Sequence, residues 1–322
     1  MTAIRPHGRH REGRKTVVSA QTTKGRDFHR LTPVWNLAFH SVAGIFALLC
    51  VFPFLFVTVI SFTDEATLAK NGYQLFPEKW SFDAYTYLFK AGDQLLRSYG
   101  ITIAVTVIGT AIGVVFTALF AYAISRHSFK YRNFFAFFAF FTMLFNGGLV
   151  PTYIIVTQLL GLKDSIWALI LPLAVNAFYI MILRTFFSTM VPDAIIESGK
   201  IDGAGEFGIF FKLVLPLSLP GLATIGLFST LGYWNDWFNA LLYINTPNLV
   251  PLQSMLMRIE NSMQFIMQNS QNASLSMGVL QSMPQDTSRM AMVVLATGPI
   301  VFAYPFFQRY FIQGLTVGAV KE

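Results

Sequence analysis

The amino-acid sequence predicts an all-α integral membrane protein with six transmembrane helices, and three observations carry that prediction. Of 322 residues, 54% are hydrophobic and 12% are charged, about half the charged share of an average soluble domain. Mean hydropathy is +0.54, so the excess apolar surface must face something other than water. Six runs are almost free of Asp, Glu, Lys and Arg, and a helix needs only about 20 apolar residues to cross a bilayer core. They are Leu31 to Thr63, Ser98 to Ser125, Asn133 to Leu162, Ser165 to Leu183, Leu213 to about Tyr243, and Met290 to Gln308.

Residues 1-31 precede these runs and read as a basic cytoplasmic tail, disordered at the anionic inner surface, since eight Lys and Arg fall in the first 30 residues. His7 and His10 have no third ligand nearby, so no metal site is expected. The first apolar run is too long for a cleavable signal and reads as an uncleaved anchor. Six spans place both termini on one side. With that side cytoplasmic, 16 Lys and Arg lie inside and 7 outside, as the positive-inside rule requires. The short turn Arg126 to Arg132, basic and without an acid, agrees best.

Residues 32-322 then form one six-span domain with periplasmic loops 64-98 and 244-289 and a cytoplasmic loop 188-218. In the first outer loop Ser81 precedes Phe82 and Asp83 as a helix start. The uncharged stretch from Leu241 to Met257 contains Asn245, Pro247, Asn248 and Pro251 and reads as loop. Gly109 and Gly113 give a small-residue face for close helix contact, within the chain or with another subunit. Cys50 is the only cysteine, which excludes an internal disulfide.

Catalytic constellations are missing. Gly13-Arg14-Lys15-Thr16 lacks the Gly-Lys pair of a phosphate loop, and Gly199-Lys200 is followed by Ile201. The chain is therefore expected to be no enzyme, with no catalytic residue and no cofactor of its own. Apart from Asp236 the spans carry essentially no ionisable group, which disfavours a proton-coupled carrier. The basic charge sits mostly on the tail, so no nucleic-acid partner is expected.

The inside loop is the informative segment. About thirty residues of mixed charged and apolar character are long for a turn between spans. Asp193 after Pro192 is placed to cap a helix over Ala194 to Ile201, Gly203 to end it with positive φ, and Phe207, Phe210 and Phe211 to give a second short helix an apolar face. The order Glu197, Ser198, Gly199, Gly203, Leu213, Leu215 and Pro216 resembles the EAA motif of permease subunits in binding-protein-dependent ABC importers. Ser198 and Gly199 stand where that motif has two alanines. Tyr233-Trp234-Asn235-Asp236-Trp237 resembles the fifth-helix segment of carbohydrate-importer permeases, and Asn146-Gly147-Gly148-Leu149-Val150-Pro151-Thr152-Tyr153 with the end from Tyr304-Pro305-Phe306-Phe307 to Gly318-Ala319-Val320-Lys321 is similar to the polysaccharide-fragment branch of maltose-type carbohydrate permeases.

The resemblance implies a type I ABC importer permease fold in the bacterial cytoplasmic (inner) membrane. It implies a second homologous permease, two cytoplasmic ATPase subunits that hold ATP and Mg, an extracytoplasmic solute-binding protein and an oligosaccharide substrate. On it, Glu197, Ser198, Gly199, Asp202, Gly203, Phe207, Phe210 and Phe211 would couple the spans to the ATPase. Asn146, Asn176, Trp234, Asn235, Asp236 and Asn239 are candidates for the substrate pathway, because amides and aromatic faces suit a polyhydroxylated ligand. An interfacial aromatic belt and ordinary helix packing are the alternatives for those six. A self-sufficient secondary carrier or a polytopic scaffold are the competing functions. ATP-dependent uptake requiring a binding protein separates the first reading from both.

Overall fold

A computed structural model describes residues 33–90, 92–269 and 284–319. Among these residues every regular element is a helix, and only an isolated antiparallel bridge, Thr63 to Trp80, pairs extended backbone. Three helices are long and apolar enough to cross a membrane: α1 (Pro33–Ser61), α4 (Gly92–Ser125) and α15 (Asp286–Ala319), the last through its first twenty residues. The first half of α1 is exposed along its length, with Phe46, Leu48 and Leu49 bare. Such an apolar surface is not one that water covers favourably. The tail, with His7 and His10, lies outside the described residues.

The third, fourth and fifth apolar runs, expected to be continuous, are each broken. Helix α5 (Arg132–Leu144) and α6 (Leu149–Ile154), which continues as a π-helical turn Ile155–Leu159, meet at 113°. The break falls at Asn146-Gly147-Gly148, where Gly148 has φ +90 and the Asn146 carbonyl oxygen of the side chain takes the Gly148 N–H. Helices α7 (Ile166–Ala174) and α8 (Ala177–Met190) meet at 48°. Asn176 sits between them and accepts from the N–H groups of Phe178 and Tyr179, so it caps α8 and stops α7 at once. Helix α12 (Leu219–Trp234) leaves the segment before it at 81°, next to Pro216 and Pro220. Three spans are thus unbroken, and six result if each bent pair crosses as one.

Short helices fill the ends. Helices α2 (Glu65–Asn71) and α3 (Asp83–Phe89) follow α1, with Asp64 capping the former and the Ser81 hydroxyl accepting from the Asp83 N–H as the sequence suggests. The stretch from Leu241 to Met257, expected to be loop, is helical at both ends: α13 (Phe238–Tyr243) runs into it and α14 (Leu252–Asn269) starts directly after Pro251, leaving 244–251 between them with a 3-10 turn at Pro247–Leu249.

Helix α4 is the axis of the packing and touches α7, α8 and α12. A Cβ on Gly109 would stand 2.5 Å from the Tyr233 ring, and one on Gly113 would stand 3.0 Å from the Ala174 carbonyl oxygen. The small-residue face is thus used inside the chain. Two clusters of buried side chains result. One surrounds the start of α4 and contains Leu95, Leu169, Tyr233, Tyr243 and Leu252. The other surrounds its end and contains Ala121, Leu183, Phe187, Ile196 and Val214.

Polar contacts fix α15 at its middle and at its start. Pro299 has no N–H to give the Leu295 carbonyl one turn back, and the Tyr99 hydroxyl of α4 donates to that oxygen at 2.7 Å instead. The Trp234 indole N–H donates to the neighbouring Ala296 carbonyl at 2.8 Å. At the start of α15, Glu65 accepts from the N–H groups of Asp286 and Thr287 and from the Thr287 hydroxyl. A carboxylate from more than 200 residues away thereby caps the positive end of the helix.

Candidate functional site

The loop at the far end of α4 folds as two short helices. Helix α9 (Asp193–Ile201) begins after Pro192, with Asp193 already inside its first turn, so the acid does not cap the helix as expected. Its side chain instead meets the Arg126 guanidinium at 3.1 Å, tying α9 to the end of α4. Gly203 ends α9 with φ +79. Ala204 N–H bonds back to the Gly199 carbonyl and Gly203 N–H to that of Lys200, the paired bonds of a Schellman turn. No side chain crowds Gly203, so its need is conformational and not steric.

The second arm is α10 (Glu206–Ile209), a π-helical turn Phe210–Val214, and α11 (Leu215–Leu217). Glu206 pairs with Lys200 at 2.7 Å and accepts from the Tyr122 hydroxyl at 3.4 Å, so it closes the hairpin of the two arms. Gly199 is buried where the arms cross, and a Cβ there would stand 2.9 Å from Leu213 Cδ1. Phe210 is 2% exposed and packs on the Tyr122 ring, 5.0 Å between centroids. Ile201, Phe207 and Phe211 point outward with 86%, 72% and 51% exposure. Glu197, Ser198 and Asp202 are exposed beside them. Of the eight loop residues singled out in the sequence, Gly199 and Phe210 are internal, Gly203 shapes the turn, and the other five lie on one exposed segment. Arg126, which with Tyr122 of α4 latches the loop, was visible in the sequence only as part of a turn. Their partners are set by tertiary packing.

A cavity of about 340 Å³ lies between α6 and α13, near the first cluster, and Asn146 and Asn239 both line it. Asp236 does not line it. Its two carboxylate oxygens accept from the backbone and side-chain N–H groups of Asn239, at 3.2 and 2.9 Å. Thr152, part of the Asn146 to Tyr153 segment that carries the resemblance but not itself singled out for the pathway, lines the cavity as well. The remaining three candidates are used elsewhere. Trp234 is buried against α15, Asn176 caps α8, and the Asn235 amide donates to the Leu231 carbonyl. Nearby, Asp164 adopts φ +55 and its carboxylate accepts from the N–H groups of Thr246 and Asn245. Those two bonds hold its carboxyl below the usual carboxylate range. They pin the turn that follows α13.

The chain is an apolar helical bundle with three bent helix pairs and a latched two-helix loop at one end. The chain belongs to the family of binding-protein-dependent transport system inner membrane components, whose pattern matches residues 113–317. It is 43% identical over 288 residues to the polygalacturonan/rhamnogalacturonan transport system permease protein YtcP of Bacillus subtilis, covering 89% of this chain and 98% of that one. Protein LplC of the same organism is 40% identical over 292 residues, covering 91% and 95%. A solved bacterial ABC transporter involved in the import of the acidic polysaccharide alginate contains a chain that superposes with a TM-score of 0.71. It is 28% identical and covers 86% of this chain and 96% of its own.

Proposed function

We propose that the chain is the permease subunit of an ATP-driven importer for oligosaccharides, forming half of a translocation pathway in the bacterial inner membrane. The carrying observation is the exposed segment bearing Glu197, Ile201, Phe207 and Phe211 on a loop whose base is fixed to α4 by Arg126–Asp193 and Tyr122–Glu206. A lever must be rigid at its root and free at its grip, and this loop is both.

On this reading the protein crosses the membrane six times, each bent pair counting as one span, with both termini and the loop 188-218 in the cytoplasm. Residues 1-31 are the tail, and the loops 64-98 and 244-289 are periplasmic. Two ATPase subunits, which hold ATP and Mg, grip the loop of this chain and that of a second homologous permease. Ser198, Asp202 and Glu197 supply polar contacts, Phe207 and Phe211 bury apolar area, and Gly199, Gly203 and Phe210 keep the loop in shape. A solute-binding protein delivers the oligosaccharide from outside. Nucleotide and loaded binding protein bias one two-state element from opposite sides. The carbohydrate names of YtcP and of the alginate importer support the substrate class.

The test is reconstitution of the four-part complex in liposomes with Glu197→Arg. Uptake and substrate-stimulated ATP hydrolysis are expected to fall together while the complex still assembles. Full activity in that variant would overturn the role of the loop, and uptake by this chain without an ATPase would overturn the whole reading.

A further inference from the structure

We propose that the cavity between α6 and α13 is a saccharide subsite that reads hydroxyl groups of an uncharged sugar unit, and that Asp236 is a positioning residue for it. The proposal rests on the reading of the chain as half of an oligosaccharide pathway and adds which part of the substrate this half recognises.

The chemistry of the two amides fixes their orientation. A carboxylate only accepts, so the Asn239 amide must turn its NH₂ toward Asp236, where the bond is 2.9 Å. Its carbonyl oxygen is the end left for a ligand. A backbone N–H only donates, so Asn146 must turn its oxygen toward the Gly148 N–H at 2.8 Å. Its NH₂ is the end left. The Thr152 hydroxyl donates to the Gly148 carbonyl at 2.8 Å and keeps lone pairs to accept. The cavity therefore presents a donor from Asn146, acceptors from Asn239 and Thr152, and the Tyr243 hydroxyl, which can do either.

Sugar hydroxyls both donate and accept and so match every one of these groups. A carboxylate has nothing to donate to Asn239 or Thr152, and no residue lining the cavity is charged. A uronate group would enter without a counter-ion and face a carbonyl dipole of the wrong sign. Phe238, 43% exposed, adds an aromatic face for the C–H side of a ring. About 340 Å³ is at the small end of ligand pockets and suits one or two sugar units. Asp236 enters only through Asn239. Without it the amide is free to flip and the acceptor is no longer fixed.

The experiment measures uptake of galactotriose and trigalacturonate, which differ only in the carboxylates, by the importer reconstituted with its own partners. Asn146→Asp keeps the acceptor for Gly148 and removes the free donor. It is expected to raise the KM for galactotriose about tenfold, the weight of one good hydrogen bond. Asn239→Lys is expected to shift the KM ratio toward trigalacturonate by about tenfold or more. Asp236→Asn is expected to raise the KM for galactotriose with little change in maximal rate, and Asp236→Glu to restore part of it. Unchanged KM values in Asn146→Asp and Asn239→Lys would overturn the subsite, and a fall in maximal rate alone for Asp236→Asn would overturn its positioning role. Uptake of neither sugar by the unmodified complex would instead count against the oligosaccharide reading itself.

Discussion

Replacing Tyr99 by Phe removes one oxygen and nothing else, yet it strips the partner from a carbonyl that its own helix cannot satisfy. Pro299 lacks the N–H that would reach Leu295, and the Tyr99 hydroxyl stands 2.7 Å from that oxygen. In a lipid-facing bundle no water replaces a lost donor. Leaving such a group unpaired costs about 1–3 kcal/mol in soluble proteins, and measured hydrogen bonds between membrane helices lie at the lower end of that range. A loss of about 1–2 kcal/mol is expected for Tyr99→Phe, or a fall in Tm of roughly 2–8 °C by the scaling of large soluble domains. The assay is thermal unfolding of the purified protein in detergent, run as a double-mutant cycle with Pro299→Ala. Alanine returns the missing N–H to Leu295, so in that background Tyr99→Phe should be nearly neutral. The same loss in both backgrounds, or none in either, would refute the argument.

Other substitutions probe separate links. Glu65→Gln keeps the size of the side chain but removes the charge that caps α15, and a drop of about 1–2 kcal/mol is expected in the same unfolding assay. Gly109→Ala drives a methyl into the Tyr233 ring, which cannot swing freely because its hydroxyl donates to the Ile170 carbonyl at 2.8 Å. A loss of about 1–3 kcal/mol is expected, and Tyr233→Ala should relieve the clash itself. At the loop, Gly203→Ala forces a Cβ into φ +79 and is expected to cost about 1–2 kcal/mol locally, read as faster hydrogen exchange over residues 193–215. Lys79 and then Thr67 hold the Asp64 carboxyl below its ordinary value. A carboxyl lowered on folding stabilises the folded state above its unfolded value of about 3.9 and loses that contribution as pH falls through the folded value. The Tm difference between Lys79→Gln and the unmodified protein should therefore be steady near neutrality and shrink below about pH 4. A difference independent of pH would contradict the pairing.

Composition made the helical, membrane-bound character legible, because long uncharged runs admit few other solutions. The breaks in three of those runs were not legible as breaks. Asn146, Asn176 and Pro220 look like tolerated polar or helix-bending residues in a hydropathy profile, and only their capping partners show that the chain turns there. Gly203 was readable because a positive φ after a short amphipathic helix has a local cause. The inward turn of Phe210 was not, since Phe207, Phe210 and Phe211 share a spacing and differ only in what Tyr122 covers. Likewise Asn146 and Asn239 were both named from their chemistry. Their meeting in one cavity depends on the bend between α5 and α6, which local sequence does not specify.

The account stands on the loop around Phe207 facing the cytoplasm and being held there by a separate ATPase. With Cys50 replaced by Ser, a single cysteine at Phe207, 72% exposed in the free chain, can be labelled with a membrane-impermeant maleimide. Labelling is expected in inside-out vesicles of the permease pair alone, with protection once the ATPase subunits bind, and none from outside intact cells. Labelling from outside, or unchanged labelling when the ATPase is bound, would contradict it.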